Sequence, residues 1–299
     1  MQGGERYYSI SDYLKKEFGR KTVKLSIDAG FTCPNRDGKC GYGGCAFCSG
    51  EGSGELASSI SEQIGLLHSK WPDAAYLAYF QAHTNTYAPV DVLRSKFYEV
   101  LNDPRISGIV IATRPDCLGD DVLDLLEEIN RSHFMWIELG LQTIHEETAH
   151  AMGIGYDLSV YDKAADDLLA RGIRVVTHLI LGLPGESEEQ MIESVRYVCA
   201  KPVFGLKLHL MNIVRTSRLG EMIPDYVPFE SIDEYVDLVV RCLEIIPPEI
   251  TIHRLTGDVP RRLLISPEWS YRKRTILNAI NRELAVRDTR QGAKLSRNE

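Results

Sequence analysis

Short runs of apolar, β-branched and aromatic residues alternate along most of the chain with stretches that carry apolar residues at helical spacing. Runs of the first kind are typical of strands buried on both faces, and the stretches between them indicate amphipathic helices. The predicted strands cover residues 23–29, 75–80, 108–113, 135–141, 174–182 and 205–214, and the predicted helices include 90–103, 119–132, 160–172 and 187–202. Strand followed by helix, six times over, predicts an α/β fold with a parallel sheet, an open or partial (β/α)₆ barrel.

The pattern changes in the last third of the chain. A helix is predicted over 231–246, then a Pro-Pro break, a strand over 249–257 and a long basic helix over 271–287. We therefore predict an N-terminal segment (1–22), a barrel (23–215) and a C-terminal α/β extension (216–299) that is not an independent second domain.

Composition limits the class of protein. With 299 residues, 44% of them hydrophobic and 25% charged, the chain is long enough for one large barrel and too apolar to be disordered. No apolar run approaches the roughly 20 residues that a membrane-spanning helix needs, and the polar start lacks the apolar core of a signal peptide. These features predict a cytoplasmic protein without a membrane partner.

Charge is distributed unevenly. The net charge is -8, yet residues 254–299 contain eleven Lys or Arg against five Asp or Glu. A basic C-terminal segment on an otherwise acidic protein can bind phosphate groups. A solvated basic helix explains the same pattern equally well.

Four of the seven cysteines, Cys33, Cys40, Cys45 and Cys48, lie within sixteen residues in a glycine-rich loop after the first predicted strand. Thiolates select zinc or an iron-sulfur cluster, and loops at the carboxyl ends of barrel strands carry catalytic groups. Zinc would use all four thiolates. Three ligands, with either Cys33 or Cys40 as the first, would leave one iron of a four-iron cluster open to chelate S-adenosylmethionine and pass it an electron.

Further segments resemble a known family. The CPNRDG…GGCAFCS run (33–49), with QAHTNTYAP (81–89), ATRPDCL (112–118), ELGLQT (138–143), HLILGLPGE (178–186) and IHRLTGD (252–258), resembles the radical S-adenosylmethionine (radical SAM) superfamily. Within it, the chain is similar to the YtqA/YhcC-type subgroup, relatives of the Elongator catalytic subunit, over residues 20–292.

The resemblance implies a 4Fe-4S cluster and S-adenosylmethionine as cofactors, with reductive cleavage of the latter to a 5′-deoxyadenosyl radical that abstracts hydrogen. It implies that Cys33, Cys45 and Cys48 hold the cluster and that Cys40 is a spare thiol. The cofactor-binding residues that it implies are Phe47, Gln81, Thr84, Asn85, Glu138, Gln142, Ile180 and Gly182. Glu138 also stands out by itself, because a charge inside an apolar strand needs a partner.

Two residues after the third strand are candidate catalytic groups. Arg114 can grip a carboxylate as a two-pronged donor, with Asp116 orienting it. Cys117 can donate a hydrogen atom to a substrate radical or be an inert buried thiol. His209 and His253 can face the same cavity, and His178 is either a further site residue or a core histidine. Arg254, Asp258, Arg261 and Arg262 can contact a substrate phosphate.

The subgroup's association with tRNA wobble-uridine modification implies a substrate. The expected reaction removes the carboxymethyl group of 5-carboxymethylaminomethyl-2-thiouridine to give 5-aminomethyl-2-thiouridine. The expected partners are tRNA and an electron donor such as flavodoxin or ferredoxin. Two alternatives stay open, namely a radical SAM enzyme acting on a small molecule or protein, and a zinc-binding structural or RNA-binding module.

Overall fold

The computed structural model describes residues 6–50 and 58–295. Its main feature is a curled half-barrel of seven parallel strands in the order β1-β2-β3-β4-β5-β6-β8. The strands are β1 (Thr22–Ile27), β2 (Ala75–Phe80), β3 (Ile106–Thr113), β4 (Phe134–Gln142), β5 (Val175–Leu181), β6 (Gly205–Leu210) and β8 (Thr251–Arg254). The predicted α/β partial barrel is confirmed, and the C-terminal extension lengthens its sheet by the seventh strand, β8. The domain boundary after residue 215 stays a prediction.

Helices cover the convex face of the sheet and one of its ends. Most of them connect successive parallel strands, as the crossovers of a βαβ fold require. In chain order they are α1 (Ile10–Phe18), α2 (Ile60–His68), α3 (Val90–Leu101), α4 (Asp120–Ser132), α5 (Glu146–Ala151), α6 (Leu158–Ala170), α7 (Glu188–Cys199), α8 (Arg218–Met222), α9 (Ile232–Ile245) and α10 (Lys273–Val286). Their apolar faces and the outward side chains of the strands form the largest hydrophobic cluster.

Two predicted strands differ from the structure. The run 205–214 is broken, because β6 ends at Leu210 and the next two-residue strand, β7 (Ile213–Val214), pairs antiparallel with β9 (Leu264–Ser266). Between them the Asn212 amide donates back to the carbonyl of Leu210 at 3.1 Å, a local bond that competes with the sheet ladder. Strand β1 is an edge strand and is only partly buried, whereas the sequence predicted full burial.

Alternate residues of the strands point into the concave face of the half-barrel. At its closed end, Leu14 of α1 belongs to one apolar cluster with Leu77, Val110, Trp136 and Val176 of four neighbouring strands. One step further along β2 and β4, inward-facing polar side chains replace this apolar layer. Helix α1 therefore closes the bottom of the half-barrel, and the carboxyl ends of the strands remain the entrance.

Candidate active site

A cavity of about 640 Å³ occupies the concave face between this closed end and the loops at the carboxyl ends of the strands. Its volume lies within the range that protein pockets use for cofactors and substrates. One wall is the cysteine loop (residues 33–50). The floor of the cavity is a polar layer on the strands, and the mouth of the cavity is bounded by a rim loop (residues 257–263) that follows β8.

Asn35 fixes the cysteine loop to the neighbouring segment after α5. Its buried amide nitrogen donates to the carbonyl oxygens of Gly153 at 2.6 Å and Ile154 at 3.1 Å, and it lies 3.3 Å from the Cys45 sulfur. The amide N–H of Gly44, whose φ of 88° suits glycine, donates to the Asn35 carbonyl at 2.8 Å. Arg36 donates in addition to the carbonyl groups of Ser49 and Gly50 at the end of the loop, so two adjacent side chains that the sequence analysis did not single out hold it.

The structure brings Cys33, Cys45 and Cys48 to the cavity wall, whereas Cys40 is exposed and lies outside that wall. The hydrogen bond with Cys48 lowers the pKa of the Cys45 thiol to about 7, against the effect of burial. Within the described residues, no three His, Cys, Asp or Glu side chains are grouped to hold one metal ion. Cys33, Cys45 and Cys48 would be the residues on this wall that hold a four-iron cluster.

Arg114 is buried in a fixed position beside the cysteine loop. Its Nε and Nη2 donate to the carboxylate of Asp116 at 2.8 and 2.7 Å, and its Nη1 donates to the carbonyl of Ile154 at 2.9 Å. The guanidinium group also stacks on the ring of Tyr156, 4.8 Å from its centre. Its predicted role as a carboxylate donor stays a prediction, since Asp116 occupies two of its N–H groups.

Six of the eight predicted cofactor-binding residues line the cavity: Phe47, Gln81, Thr84, Glu138, Gln142 and Ile180. Asn85 is buried and donates to the carbonyl of Ala112 at 2.9 Å, outside the wall. Gly182 is also outside it, where a Cβ would come within 2.7 Å of the Phe229 ring, so this glycine serves packing in the structure.

Cys117 does not line the cavity either. It lies in a short 3₁₀ turn (Pro115–Cys117), with its sulfur 3.7 Å from the carboxylate of Asp116. Burial raises the pKa of this thiol to about 12. The position favours the inert thiol over the hydrogen-atom donor, and the catalytic role stays a prediction.

The floor of the cavity is organised around the fully buried carboxylate of Glu138. Oε2 accepts hydrogen bonds from Tyr79 Oη at 2.5 Å, from His178 Nε2 at 3.1 Å and from Lys207 Nζ. Oε1 accepts from Lys24 Nζ and Trp136 Nε1, both at 3.3 Å. Burial alone would raise the pKa of Glu138, but the charges of Lys207 and Lys24 lower it well below its usual range.

Glu138 therefore has partners inside the protein, and its predicted contact with the cofactor ribose stays a prediction. The sequence analysis missed Lys24, Tyr79 and Lys207, the polar floor residues contributed by β1, β2 and β6. Their signal was visible as single polar residues inside apolar strands. Only the register of the sheet shows that they form one layer.

Two polar atoms beside the cavity have no hydrogen-bond partner among the residues that the structure describes. They are His209 Nε2 and Asn212 Oδ1, and both residues line the wall. Both atoms are available for hydrogen bonds to a polar ligand in the cavity. Together with three thiols on one wall, they fit a bound cluster and S-adenosylmethionine.

No helix in residues 6–50 and 58–295 is both long and apolar enough to cross a membrane.

Sequence comparison identifies the family. Residues 38–198 match the Radical SAM superfamily and residues 203–285 match the Radical_SAM C-terminal domain. The first match begins after Cys33, so it includes Cys40, Cys45 and Cys48.

Two curated relatives span nearly the whole chain. YtqA of Bacillus subtilis is 45% identical, covering 99% of this chain and 94% of its own. YhcC of Escherichia coli K12 is 36% identical, covering 95% and 94%. Among solved structures, the archaeal Elp3 of Methanocaldococcus infernus shares the fold with a TM-score of 0.66 and 17% identity, over 77% of this chain and 58% of that one. The chain belongs to the radical SAM superfamily and is an enzyme of the YtqA/YhcC type.

Proposed function

We propose that the enzyme modifies the wobble uridine of tRNA, converting 5-carboxymethylaminomethyl-2-thiouridine to 5-aminomethyl-2-thiouridine. The observation that carries the proposal is a stacked aromatic platform at the mouth of the cavity. The ring of Tyr271 is exposed, with the guanidinium carbon of Arg261 4.5 Å and that of Arg272 5.5 Å from its centre. Arg261 belongs to the rim loop, five of whose residues line the cavity.

Such a platform suits a single-stranded nucleic acid. Aromatic rings and guanidinium planes stack on unpaired bases, and exposed cations attract the phosphate backbone. Arg262, Lys273 and Arg274 lie exposed in the same part of the chain and add positive charge. An anticodon base splayed from its loop could therefore rest near the platform while its modified side chain enters the cavity.

The protein's own residues would position the side chain and exclude water. Helix α1 closes the bottom of the half-barrel, and Phe47 and Ile180 give the cavity an apolar wall. Burial and the charge of Lys207 lower the pKa of His178 to about 4, so the neutral ring donates its Nε2–H to Glu138 at pH 7.

When bound, the cluster and S-adenosylmethionine would supply hydrogen-atom abstraction and accept two electrons in all. The substrate loses these two electrons when water adds, the C–N bond breaks and the carboxymethyl group leaves as glyoxylate.

A partner must supply the cluster with an electron. We propose a flavodoxin or ferredoxin, docking on the outer side of the cysteine loop, where Tyr42 is 78% exposed and Cys40 is exposed too.

Mass spectrometry of tRNA nucleosides tests the substrate. A strain that lacks this protein should accumulate 5-carboxymethylaminomethyl-2-thiouridine and lose 5-aminomethyl-2-thiouridine, and the wild-type gene should reverse both changes. Unchanged wobble nucleosides would refute the proposal and favour a small-molecule or protein substrate.

Salt-dependent tRNA binding tests the platform separately. The double variant Arg261→Gln, Arg272→Gln should weaken binding and reduce the slope of log K against log salt by about 1.4, since each single-strand phosphate contact contributes about 0.7. A matched control, Arg94→Gln with Arg131→Gln on the outer helices, removes the same charge and should leave the slope unchanged. Equal slopes for the two double variants would contradict a role for the platform.

A further inference from the structure

The floor of the cavity carries more positive than negative charge. Lys24 on β1 and Lys207 on β6 both pair with the carboxylate of Glu138, and Arg254 on β8 lines the same cavity. Arg254 is close enough to Lys24, Lys207 and His209 to disfavour positive charge on each of them. Lys207 is fully buried, whereas the side chains of Lys24 and Arg254 are 27% and 25% exposed. Cations this close together beside one buried carboxylate repel each other, and a second anion would relieve that repulsion.

Hydrogen-bond donors are also in surplus there. A carboxylate offers about four lone-pair sites, and Glu138 already accepts from five donors. The hydrogen bond that the described structure gives to the Lys24 ammonium is the long one to Glu138, at 3.3 Å, and this ammonium has three N–H groups. Glu138 therefore cannot satisfy all the donors that surround it.

Arg254 has an even looser partner. Its Nη2 lies 3.7 Å from the carboxylate of Asp258, and that carboxylate accepts a shorter hydrogen bond from Lys273 at 2.9 Å. A guanidinium group is planar and matches the two oxygens of a carboxylate. Near it, the buried Nε2 of His209 has no hydrogen-bond partner within residues 6–50 and 58–295.

We propose that the floor is a subsite for the carboxylate group of the substrate, bound by Arg254 and Lys24 next to His209. The inference rests on the proposed function for the identity of the molecule, whose carboxymethyl group ends in a carboxylate. The Lys24 side of the subsite lies deeper than the cysteine loop, because its partner Glu138 precedes the carboxyl end of β4 by four residues, whereas Arg254 is the last residue of β8. A substrate held by its terminal carboxylate thus presents the adjacent carbon between the floor and the three cysteines.

Equilibrium binding to the anaerobically prepared full-length holoenzyme without S-adenosylmethionine tests the subsite without turnover. N-methylglycine, which reproduces the end of the substrate side chain, should bind at least tenfold more tightly than its neutral amide, N-methylglycinamide. Both probes are compared on the same wild-type protein, so this result does not depend on the folding of any variant. Equal binding of the acid and the amide, or tighter binding of inorganic phosphate, would overturn the proposal.

Variants locate the subsite. Arg254→Gln and Lys24→Met should each weaken N-methylglycine binding about tenfold, and Arg254→Lys should weaken it less than Arg254→Gln. The control Lys163→Met removes a surface lysine paired with Asp167 and should leave binding unchanged. Unaltered binding in both Arg254→Gln and Lys24→Met would place the carboxylate elsewhere and contradict the assignment.

The same assay, with two nucleosides, separates this inference from the proposed function. If 5-carboxymethylaminomethyluridine and 5-aminomethyluridine bind equally while the deletion strain loses its tRNA modification, the subsite is wrong and the function stands. If N-methylglycine binds through Arg254 while tRNA from the deletion strain is unchanged, the subsite stands and the tRNA substrate is wrong.

Discussion

The cysteine loop and the polar floor face each other across one cavity, yet they are held in different ways. The loop carries its thiols on irregular backbone, anchored largely by the Asn35 amide and by main-chain bonds. The floor places its side chains on six strands, where sheet register fixes each position and one carboxylate accepts five hydrogen bonds.

The cysteine loop is therefore the adaptable part of this site, and the polar floor is the rigid part. Ligands on a loop can adjust to a bound cluster, whereas groups on strands are preorganised before any substrate arrives. Substitutions in the loop should therefore change what the protein binds. Substitutions in the floor should also change the stability of the folded protein.

The largest expected effect is loss of the cluster on substitution of a loop thiol. Cys33→Ala should lose most of its iron and the ability to cleave S-adenosylmethionine, because Cys33 lines the cavity with Cys45 and Cys48. Cys40→Ala is the matched control and should keep both, since its thiol is exposed outside the wall. Iron and sulfide analysis after anaerobic reconstitution measures the cluster content of both variants. Loss of iron in Cys40→Ala but not in Cys33→Ala would make Cys40 the first ligand.

In the floor, Lys207→Met should lower the free energy of unfolding by about 3–5 kcal/mol, since it removes a partner of a fully buried carboxylate. Urea unfolding measures the change. Adding Glu138→Gln to this variant should recover part of the loss. Lys163→Met, which breaks an exposed pair, should cost less than about 1 kcal/mol. A loss below 1 kcal/mol for Lys207→Met would mean that the floor is not a preorganised network.

The floor should also be sensitive to acid through His178, whose pKa burial and Lys207 lower to about 4. In the unfolded chain this ring binds a proton near pH 6.5, so the unfolded state gains protons first as the pH falls. Stability should thus fall between pH 6.5 and 4, by about 3 kcal/mol from this group at 1.36 kcal/mol per pKa unit.

Urea unfolding at pH 7.0 and 4.5 checks this sign. His178→Gln keeps an N–H donor for Glu138 and cannot gain a proton, so it should lose less stability than the wild type over this interval. An equal loss in both proteins would show that other groups account for the acid sensitivity.

The smallest expected effect concerns the anchor of the cysteine loop. Asn35→Ala leaves two carbonyl groups without their donor and should cost about 1–3 kcal/mol. The matched control, Asn130→Ala on α4, removes one exposed hydrogen bond to Gly172 and should cost less than 1 kcal/mol. Thermal unfolding compares the two variants. An equal decrease in Tm for both would contradict the role of Asn35 as the anchor of the loop.

The two regions also differ in how far sequence could predict them. The cysteine loop was evident from residue type and spacing within one short segment, whereas the choice of Cys33, Cys45 and Cys48 among its four thiols came from the family resemblance. Glu138 was recognised as a buried charge, but its lysine partners come from β1 and β6, 114 and 69 residues away. Such pairing depends on sheet register, which a single sequence does not specify.

Local conformation explains the remaining differences. The break after Leu210 depends on a side-chain hydrogen bond of Asn212, and the seventh strand required β8 to pair with β6 across the predicted domain boundary. Gly182 and Cys117 were correctly placed near strand ends, yet packing turns both away from the cavity wall.

The central claim is that a substrate carbon is held between the polar floor and the cysteine loop and loses its hydrogen there. The direct test is a single-turnover reaction of the reconstituted enzyme with tRNA whose 5-carboxymethylaminomethyl-2-thiouridine carries two deuterium atoms on the carboxymethyl carbon. Mass spectrometry should find one deuterium in 5′-deoxyadenosine and 5-aminomethyl-2-thiouridine in the tRNA. Undeuterated 5′-deoxyadenosine together with unchanged tRNA would contradict the account.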